Sequence, residues 1–396
     1  MKRTNIGLLG SVINNGNMGC VALTYSLILM LEKIGNDLGL NFIYYIFEGD
    51  SDEDKVRQLC EKLSIASDRI YSVKVTPLHR LCSMAHHPFA SLNAVKCLKN
   101  CDFIIDLTAG DSFSDLYGQW RFDGATHIKE IVCYLKKPLI LGPQTYGPFK
   151  AVKNKSRAKK IIEKSCCVIA RDQFSADYVA GFSDKEVHVT TDLAFGLPFG
   201  KDNMISPERI KVGINISSLL VKNKKESTET NFTLKVDYDL FVQGIMDYLV
   251  GNEKYDIYVI PHVGRDAGEQ FRDKFPMVNY LPEFSNPIDA KNCIAQMDVF
   301  VGARMHATIG AFSSGVATIP TAYSRKFSGL YENLDYPYVV DLSSLSTEDA
   351  VKRTISYIEE YKVLKDEAQH GMAVAQKNLE RTQSILSKCI KSIIFC

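Results

Sequence analysis

The stretch DVFVGARMHATIGAFSSGVATIPTAYSRKFSGL, from Asp298 to Leu330, decides the fold. It opens with an apolar run typical of a buried strand, continues through small residues typical of a closely packed helix, and ends in a second apolar run. This order predicts a βαβ unit, in which the two strands run parallel. Arg304 and His306 follow the first predicted strand, and Arg325 and Lys326 follow the second.

These four basic side chains therefore gather at the carboxyl ends of neighbouring parallel strands, where open α/β sheets bind ligands. The first turn of a helix leaves backbone N–H groups for an anion, and an arginine adds a fork that matches phosphate or carboxylate. The stretch predicts an anion pocket with His306 as a proton donor. The alternative is that Arg304 and His306 only cap and pack the loop.

The rest of the chain repeats the same alternation of apolar runs and amphipathic segments. The predicted strands of the first half are NIGLLGSV, NFIYYIFEG, RIYSVKV, DFIIDLTAG, KPLILGPQ and CVIARD. The second half begins with the predicted strand IKVGINIS. GNMGCVALTYSLILMLEKIG indicates a Gly-rich turn and a helix ending near Gly35. The alternation predicts an α/β protein with parallel sheets covered by helices on both faces.

The Gly- and Pro-containing segment GLPFGKDNMISPER, residues 196–209, is the predicted linker between two doubly wound, Rossmann-like domains. The first is expected over residues 1–197 on the acceptor side, and the second over 206–396 on the donor side. The charged C-terminal helices are expected to pack back on the first domain. A polar stretch at 219–237 is predicted to be a mobile loop, and the site is expected in a cleft between the domains.

Composition narrows the class of protein. The 396 residues are 46% hydrophobic and 23% charged, with a formal net charge of +1, which argues against a large basic surface for nucleic acid. The 11 cysteines form no C-x-x-C pair, so neither a zinc site nor any other metal site is predicted. No signal peptide or long apolar run is evident, and we expect a cytoplasmic protein.

Several residues of the first half follow predicted strands. Asp111 comes after a buried strand, where a carboxylate could receive a proton from a sugar hydroxyl; a helix cap is the alternative. Arg171 could reach the same anion, or pair locally with Asp172 or Asp177. Asp192 ends the first domain and is expected to cap or hold the hinge.

Four further positions complete the candidate substrate-binding set. Asn17 lies in a Gly-rich turn without the G-x-G-x-x-G spacing of dinucleotide sites, so its amide is predicted to bind a hydroxylated ligand, unless it only shapes the turn. Gln144 and Tyr146 lie in a loop stiffened by Gly and Pro, suited to ligand contact. His262 ends a strand of the second half, where a structural histidine is the alternative.

With these residues in view, the sequence resembles the polysaccharide pyruvyl transferase family over most of its length. The segments that carry the resemblance are GNMGCVAL, AGDSFSD, GPQTYGPF, ARDQFSADYV, TTDLAF, IPHV and, most specifically, GARMHATIGAFSSGVATIPTAYSRKFSGL. Cys20 stands where many members of the family have an aspartate.

The resemblance implies a glycosyltransferase-B-like fold and transfer of pyruvate from phosphoenolpyruvate to two hydroxyls of a sugar, forming a cyclic ketal. It implies Arg304 and His306 at the phosphoenolpyruvate site, Arg171 as a second donor contact and Lys326 at a basic position. No cofactor beyond the donor is implied. The acceptor would be a sugar or lipid-linked oligosaccharide of a capsule or exopolysaccharide pathway, which leaves association with the inner face of a membrane open.

Two competing functions remain open from sequence. A glycosyltransferase using a nucleotide sugar would share the fold and would also need basic residues for a diphosphate. A sugar- or phosphate-binding relative without catalysis would keep the pocket and lose turnover. The oligomeric state is not predicted.

Overall fold

The computed structural model describes residues 1–49, 52–75, 88–200, 209–221, 234–264, 266 and 268–395, without the side chains of 88–91, 325, 326 and 328. The predicted linker and the predicted loop therefore fall largely outside the described residues. Contacts divide the chain into two units. The first contains Met1–Asn15, Cys20–Leu193 and Lys377–Cys396, and the second contains Gly16–Gly19 and Ala194–Gln376.

The first unit is built on a parallel sheet with seven strands among the described residues, in the order β3-β2-β1-β4-β5-β6-β7. These strands are β1 Lys2–Leu9, β2 Leu40–Glu48, β3 Ile70–Lys74, β4 Phe103–Asp106, β5 Leu139–Gln144, β6 Cys167–Ala170 and β7 His188–Val189. The central strands β4, β5 and β6 are buried at every position, which explains their continuous apolar sequence.

Helices alternate with these strands, as the sequence predicts for doubly wound domains. They are α1 Met18–Leu38, α2 Glu53–Leu63, α3 Pro88–Asn100, α4 Gln119–Tyr134, α5 Val152–Lys164 and α6 Gln173–Ala180. The expected end of α1 at Gly35 is wrong: the helix continues to Leu38 and ends before Gly39, whose φ of 69° leaves the helical region.

Helix α1 also has the length and composition of a membrane span, with a mean hydropathy of 1.4 over its most apolar window. In the fold, 78% of that window is buried, and side chains such as Leu27, Ile28 and Leu31 are fully enclosed. A buried core helix has the same apolar composition, so this signal is weak evidence for a membrane span.

The second unit repeats the architecture with six described strands in the order β10-β9-β8-β11-β12-β13. The strands are β8 Ile210–Asn215, β9 Tyr255–Val259, β10 Asn279–Tyr280, β11 Val299–Gly302, β12 Ala317–Ala322 and β13 Val340–Asp341. The helices are α7 Tyr238–Val250, α8 Glu269–Arg272, α9 Pro287–Ile294, α10 Met305–Phe312, α11 Arg325–Glu332, α12 Thr347–Glu359 and α13 Tyr361–Phe395. The βαβ unit predicted from the opening stretch is β11-α10-β12, with Val299 paired to Ala317.

Each sheet has one place where the strand order reverses, and ligands of open α/β sheets bind at such switch points. In the first unit β1 and β4 are neighbours, and Leu9 lies beside Asp106 at their carboxyl ends. In the second unit β8 and β11 are neighbours, and Asn215 lies beside Gly302.

Candidate active site

Arg304 lies at the switch point of the second unit. It is the N-cap of α10, with an extended backbone, and its N–H donates to the side-chain oxygen of Asn215 at 3.1 Å. Asn215 is buried, and its amide also donates to the backbone oxygen of Ile260 at 3.0 Å. One asparagine at the end of β8 thus joins the chain that follows β9 to the chain that follows β11.

The guanidinium of Arg304 is held by an aspartate that the sequence analysis did not select. Nε and Nη2 donate to the two oxygens of Asp266 at 2.9 and 2.8 Å, and Nη2 also reaches Ser218 Oγ at 3.2 Å. Burial alone would lower the pKa of Arg304, but the hydrogen bonds and charge of Asp266 outweigh it and raise the pKa. The arginine stays charged, and the paired edge of its guanidinium is fixed.

Asp266 is fully buried and well satisfied. Besides Arg304, it accepts the backbone N–H groups of Ser218 at 2.9 Å and Val263 at 3.2 Å. Four donors around one carboxylate make it a rigid support for the arginine. The Nη1 group of Arg304 has no hydrogen bond to any described residue, so this end of the guanidinium is available to an anion.

His306 lies in the first turn of α10, two residues after Arg304, and is partly buried. The backbone of Gly19 packs directly on its ring: a Cβ at Gly19 would overlap the Cβ, Cγ and Nδ1 atoms of His306. Only glycine fits at this position without moving the imidazole.

Gly19 belongs to a short N-terminal segment, Gly16–Gly19, that groups with the second unit. Asn17 forms a bridge with Val263, and Met18 N–H donates to the backbone oxygen of His262 at 3.1 Å. The sequence analysis assigned this turn to residues 1–197. The structure instead places Asn17 beside the loop after β9, where its side-chain oxygen accepts the N–H of Gly19 at 3.0 Å.

His262 is 6% exposed, and neither of its ring nitrogens has a hydrogen-bond partner among the residues that the structure describes. Burial, followed by the nearby His306 and Arg304, lowers the pKa of His262 to about 3. The ring is therefore neutral at physiological pH, with one N–H donor and one acceptor nitrogen that no described residue pairs with. Because buried polar groups are nearly always paired in native proteins, this histidine indicates a ligand-binding position.

Asp111 lies at the switch point of the first unit, directly after a turn of unusual backbone. Thr108, Ala109 and Gly110 have φ values of 41°, 50° and 86°. Left-handed conformations are rare for a β-branched residue and cluster at functional sites. Gly10 permits the turn, because a Cβ there would overlap the backbone of Thr108.

A buried ion pair supports this turn from below. Lys129 Nζ lies 3.1 Å from Asp106 Oδ1 and donates to Thr108 Oγ1 at 2.8 Å, and both charged side chains are 1% exposed. Thr108 Oγ1 in turn donates to Asp106 Oδ2 at 2.6 Å. The sequence analysis missed Asp106 and Lys129, because pairing depends on a contact between β4 and α4.

Asp111 is partly buried and accepts the hydroxyl of Tyr117 at 2.6 Å. It is not a helix cap of the kind considered from sequence, since it ends a three-residue 3₁₀ turn at Thr108–Gly110. Cys20 lies nearby, at the position where many members of the family have an aspartate, and its thiol does not supply that negative charge. Burial, followed by the charge of Asp111, raises the pKa of its thiol to about 12.

Arg171 is paired with an aspartate far along the chain. Its Nη1 donates to Asp192 at 2.8 Å and its Nε to Thr145 Oγ1 at 2.8 Å, whereas Asp172 lies at 4.0 Å and caps α6 through Ser175 N–H. Burial alone would lower the pKa of Arg171, but the charge of Asp192 outweighs it and raises the pKa. Arg171 is 4% exposed, so it has little surface for a ligand in this structure.

Gln144 and Tyr146 are internal residues of the first unit, contrary to the ligand contact expected from their loop. Both are 0% exposed. Gln144 donates to the backbone and the carboxylate of Asp106 at 3.0 Å, and Tyr146 donates to the backbone oxygen of Ile169 at 3.0 Å. The loop was predicted to be rigid from its Gly and Pro residues, and in the structure buried side chains hold it in place.

Arg325 and Lys326 begin α11 at the carboxyl end of β12, as predicted, but their side chains lie outside the described residues. Among the described residues, no group of three or more His, Cys, Asp or Glu side chains is placed to hold a metal ion. The structure thus brings Asn17, His262, Arg304 and His306 together in the second unit. Asp111 and Arg171 lie together in the first unit.

The two parallel sheets with their covering helices are those of an α/β protein of the glycosyltransferase-B fold. This chain is similar in structure to UDP-N-acetylglucosamine 2-epimerase from Neisseria meningitidis bound to UDP-GlcNAc, with a TM-score of 0.60 and 10% sequence identity. The match covers 99% of this chain and 100% of the epimerase chain. Another solved UDP-N-acetylglucosamine 2-epimerase gives a TM-score of 0.64 at 10% identity, covering 100% and 98%. The glycosyltransferase WaaG of lipopolysaccharide biosynthesis gives 0.50 at 10% identity, covering 98% and 99%. At these identities the likeness concerns the fold.

The family follows from the sequence itself. The model of the polysaccharide pyruvyl transferase family matches residues 17–325, most of the chain. The chain belongs to the polysaccharide pyruvyl transferase family, as the resemblance of its motifs predicted, and is a transferase. No curated protein matches it.

Proposed function

We propose that this protein transfers the pyruvyl group of phosphoenolpyruvate to two hydroxyls of one sugar in a surface polysaccharide precursor. The product is a pyruvate ketal and the leaving group is phosphate. The observation that carries the proposal is the cluster of Arg304, His306 and His262 at the switch point of the second unit, in a chain of this family.

The donor's chemistry suits this cluster. Phosphoenolpyruvate has a phosphate and a carboxylate, and it needs a fixed cation together with neutral hydrogen-bond donors. Asp266 orients Arg304 through Nε and Nη2, and its Nη1 end is directed to the donor. The neutral His262 supplies a buried N–H that can pair with a donor oxygen. Arg325 and Lys326 complete the positive charge, and Asn17 binds from the facing turn.

The reaction needs one proton delivered to carbon and two removed from hydroxyls. His306 protonates the methylene carbon C3, and a sugar hydroxyl adds to the electron-poor C2. The C2–O bond to phosphate then breaks, and a second hydroxyl adds at C2. One hydroxyl proton restores the histidine, and the other leaves with the phosphate. Arg304 stabilises the departing phosphate, which is electrostatic catalysis by a pre-oriented group.

The first unit supplies the acceptor side of the proposal. Asp111, oriented by Tyr117, is the candidate base for the sugar hydroxyl whose proton finally leaves with the phosphate. Arg171, paired with Asp192, lies close enough to Asp111 for their opposite charges to attract. Gln144 and Tyr146 support this edge from the core. The protein would act in the cytoplasm on a free or lipid-linked acceptor at the inner face of the membrane, without a cofactor.

The test combines two products of one reaction. Purified protein is incubated with phosphoenolpyruvate and a panel of synthetic and lipid-linked glycosides, and released phosphate and the mass of the sugar are measured together. Arg304→Ala and His306→Ala should abolish both signals. Arg272→Ala and His370→Ala, exposed positions of the same unit, are the matched controls.

Other results would change the assignment. Calorimetry with phosphoenolpyruvate alone should show binding that Arg304→Ala abolishes. Binding without turnover on every acceptor would support a non-catalytic binding protein. Binding of a nucleotide sugar with no binding of phosphoenolpyruvate would overturn pyruvyl transfer in favour of glycosyl transfer.

A further inference from the structure

The segment between the strained turn and helix α4 carries aromatic side chains that the proposed reaction does not use. Tyr117 lies two residues before the helix, and Trp120 lies in its first turn. Trp120 is the single tryptophan of the sequence and is 59% exposed, and Leu116 beside this segment is 38% exposed. Tryptophan is enriched at binding interfaces, because its large apolar ring also carries a polar N–H group.

The polar group beside this surface is oriented. The hydroxyl of Tyr117 donates to Asp111 at 2.6 Å, and the guanidinium of Arg121 lies 5.1 Å from the centre of the Tyr117 ring. The contact with Arg121 and the hydrogen bond to Asp111 hold the ring of Tyr117 in place. The same hydrogen bond orients the carboxylate of Asp111. Asp111 itself follows directly on the left-handed Thr108–Gly110 turn.

Strain of this kind persists only where the surroundings impose it. The pair of Lys129 and Asp106 and the close approach of Gly10 impose it here, at the carboxyl end of β4. A simple connection between β4 and α4 needs no such conformation. The turn therefore presents Asp111 toward the edge of the sheet at some cost in stability, which is typical of binding and catalytic positions.

A pyranose sugar matches this set of groups. One face of the ring carries C–H bonds with partial positive charge, which pack on the electron-rich face of an indole, and its hydroxyls donate to carboxylates. Carbohydrate surfaces therefore combine an exposed aromatic ring with an oriented acid. In the first unit, the exposed Trp120 lies three residues after Tyr117, whose hydroxyl donates to Asp111 at the switch point.

We propose that Trp120, Tyr117 and Asp111 form the acceptor subsite, in which a pyranose packs on Trp120 and donates a hydroxyl to Asp111. The role of this subsite in ketal formation rests on the proposed function. Binding of a sugar to it does not, and can be measured without phosphoenolpyruvate. Trp120 and Tyr117 are positioning and specificity residues, and Asp111 touches the reacting hydroxyl.

The single tryptophan makes the test direct, because all indole fluorescence comes from the proposed subsite. The full chain is titrated with methyl β-galactopyranoside, methyl β-glucopyranoside and glycerol up to about 100 mM. We expect a saturable change in emission with at least one pyranoside and none with glycerol. Asp111→Asn should raise the dissociation constant for that pyranoside at least fivefold. Tyr134→Ala, an 84% exposed aromatic on the same helix, should leave it unchanged.

A linear response with all three compounds would overturn the proposal, as would equal binding by Asp111→Asn. With an acceptor that turns over, Trp120→Ala should raise the acceptor KM at least fivefold, with kcat and the KM for phosphoenolpyruvate nearly unchanged. Saturable sugar binding without phosphate release would contradict the proposed function and leave the subsite standing. Phosphate release together with an unchanged acceptor KM in Trp120→Ala would support the proposed function and contradict the subsite.

Discussion

The guanidinium of Arg304 and the carboxylate of Asp266 form two parallel hydrogen bonds, with the aspartate fully buried and the arginine 12% exposed. The two residues are 38 positions apart, at the ends of two elements of the second sheet. This pair holds the guanidinium of Arg304 in a fixed direction. Under the proposed function, Asp266 would therefore act on donor binding through Arg304 without touching the donor.

Asp266→Asn should therefore affect both folding and donor binding. An amide cannot accept both N–H groups of the fork, and a buried arginine loses its counter-charge. Removing one partner of a buried pair costs about 3–5 kcal/mol. We expect a loss of about 3 kcal/mol in the free energy of unfolding by urea, and a tenfold or larger fall in kcat/KM for phosphoenolpyruvate. Unchanged values in both measurements would show that Asp266 does not hold the arginine.

His262→Phe should separate stability from binding. The variant removes a buried ring whose two nitrogens have no hydrogen-bond partner among the described residues, and an unpaired buried polar group costs about 1–3 kcal/mol. We expect equal or greater stability at pH 7 and at least a fivefold weaker affinity for phosphoenolpyruvate by calorimetry. Intact affinity would place His262 outside the donor site.

The same residue predicts a pH dependence. The pKa of His262 is lowered to about 3 in the folded protein, below its ordinary value of about 6.5 in the unfolded chain. The folded state therefore binds fewer protons between these values, and stability is complete above about pH 6.5 and falls as the pH drops toward 3. Urea unfolding at pH 7 and pH 5 should show a smaller loss in His262→Phe than in the unmodified protein.

Gly19→Ala tests the contact with His306. The added methyl group must displace the imidazole, so we expect a tenfold or greater loss of kcat with a small change in KM for phosphoenolpyruvate. The same substitution should lower the free energy of unfolding of the unmodified protein but not of a His306→Gly variant, which lacks both the ring and the Cβ atom that the added methyl group would overlap. Equal losses in both backgrounds would show that Gly19 acts through the turn alone.

Ala109→Gly should stabilise the first unit. Ala109 has a φ of 50°, a left-handed conformation that costs an L-residue about 1–2 kcal/mol and glycine almost nothing. Against this gain stands the greater freedom of glycine in the unfolded chain, and we expect a net gain of about 0.5–1 kcal/mol. Thermal unfolding measures it, and Ala180→Gly, at the last residue of helix α6, is the control that should not gain.

Lys291→Met should stabilise the second unit in a pH-dependent manner. Lys291 is buried, its Nζ donates to the backbone oxygen of Leu197 at 2.6 Å, and no described carboxylate pairs with it. Burial lowers its pKa to about 7. The unfolded chain keeps the proton up to about pH 10.5, so the native protein gains stability as the pH rises from about 7 to 10.5.

The methionine variant has no charge in the core, so it lacks the cost of burying a protonated lysine. We expect it to exceed the native protein by about 1 kcal/mol at pH 7 and by less at pH 9.5, since a buried uncompensated charge is costly. Lys352→Met, at an exposed lysine of α12, should show no such trend. A lower stability of Lys291→Met at pH 7 would mean that the bond to Leu197 outweighs the cost of burial.

Much of the fold was predictable because its signals are local. Continuous apolar runs predict buried parallel strands, and β11-α10-β12 lies where Asp298–Leu330 predicted it. Arg304 and His306 follow β11 as expected. The end of α1 was missed, since Gly35 is tolerated inside a helix whose neighbours are firmly packed, and Phe42 lies against it.

The sequence by itself determined the α/β class, the two parallel sheets, the family and the basic residues after β11, because periodicity and short motifs depend on neighbours in the chain. Only the tertiary structure decided which groups meet. It paired Arg304 with Asp266 and Arg171 with Asp192, and joined Gly19 to His306. These contacts link residues from different elements, and their burial makes each partner necessary. Polar groups enclosed in a fold are stable only with partners, and no local pattern names a partner that lies tens or hundreds of residues away.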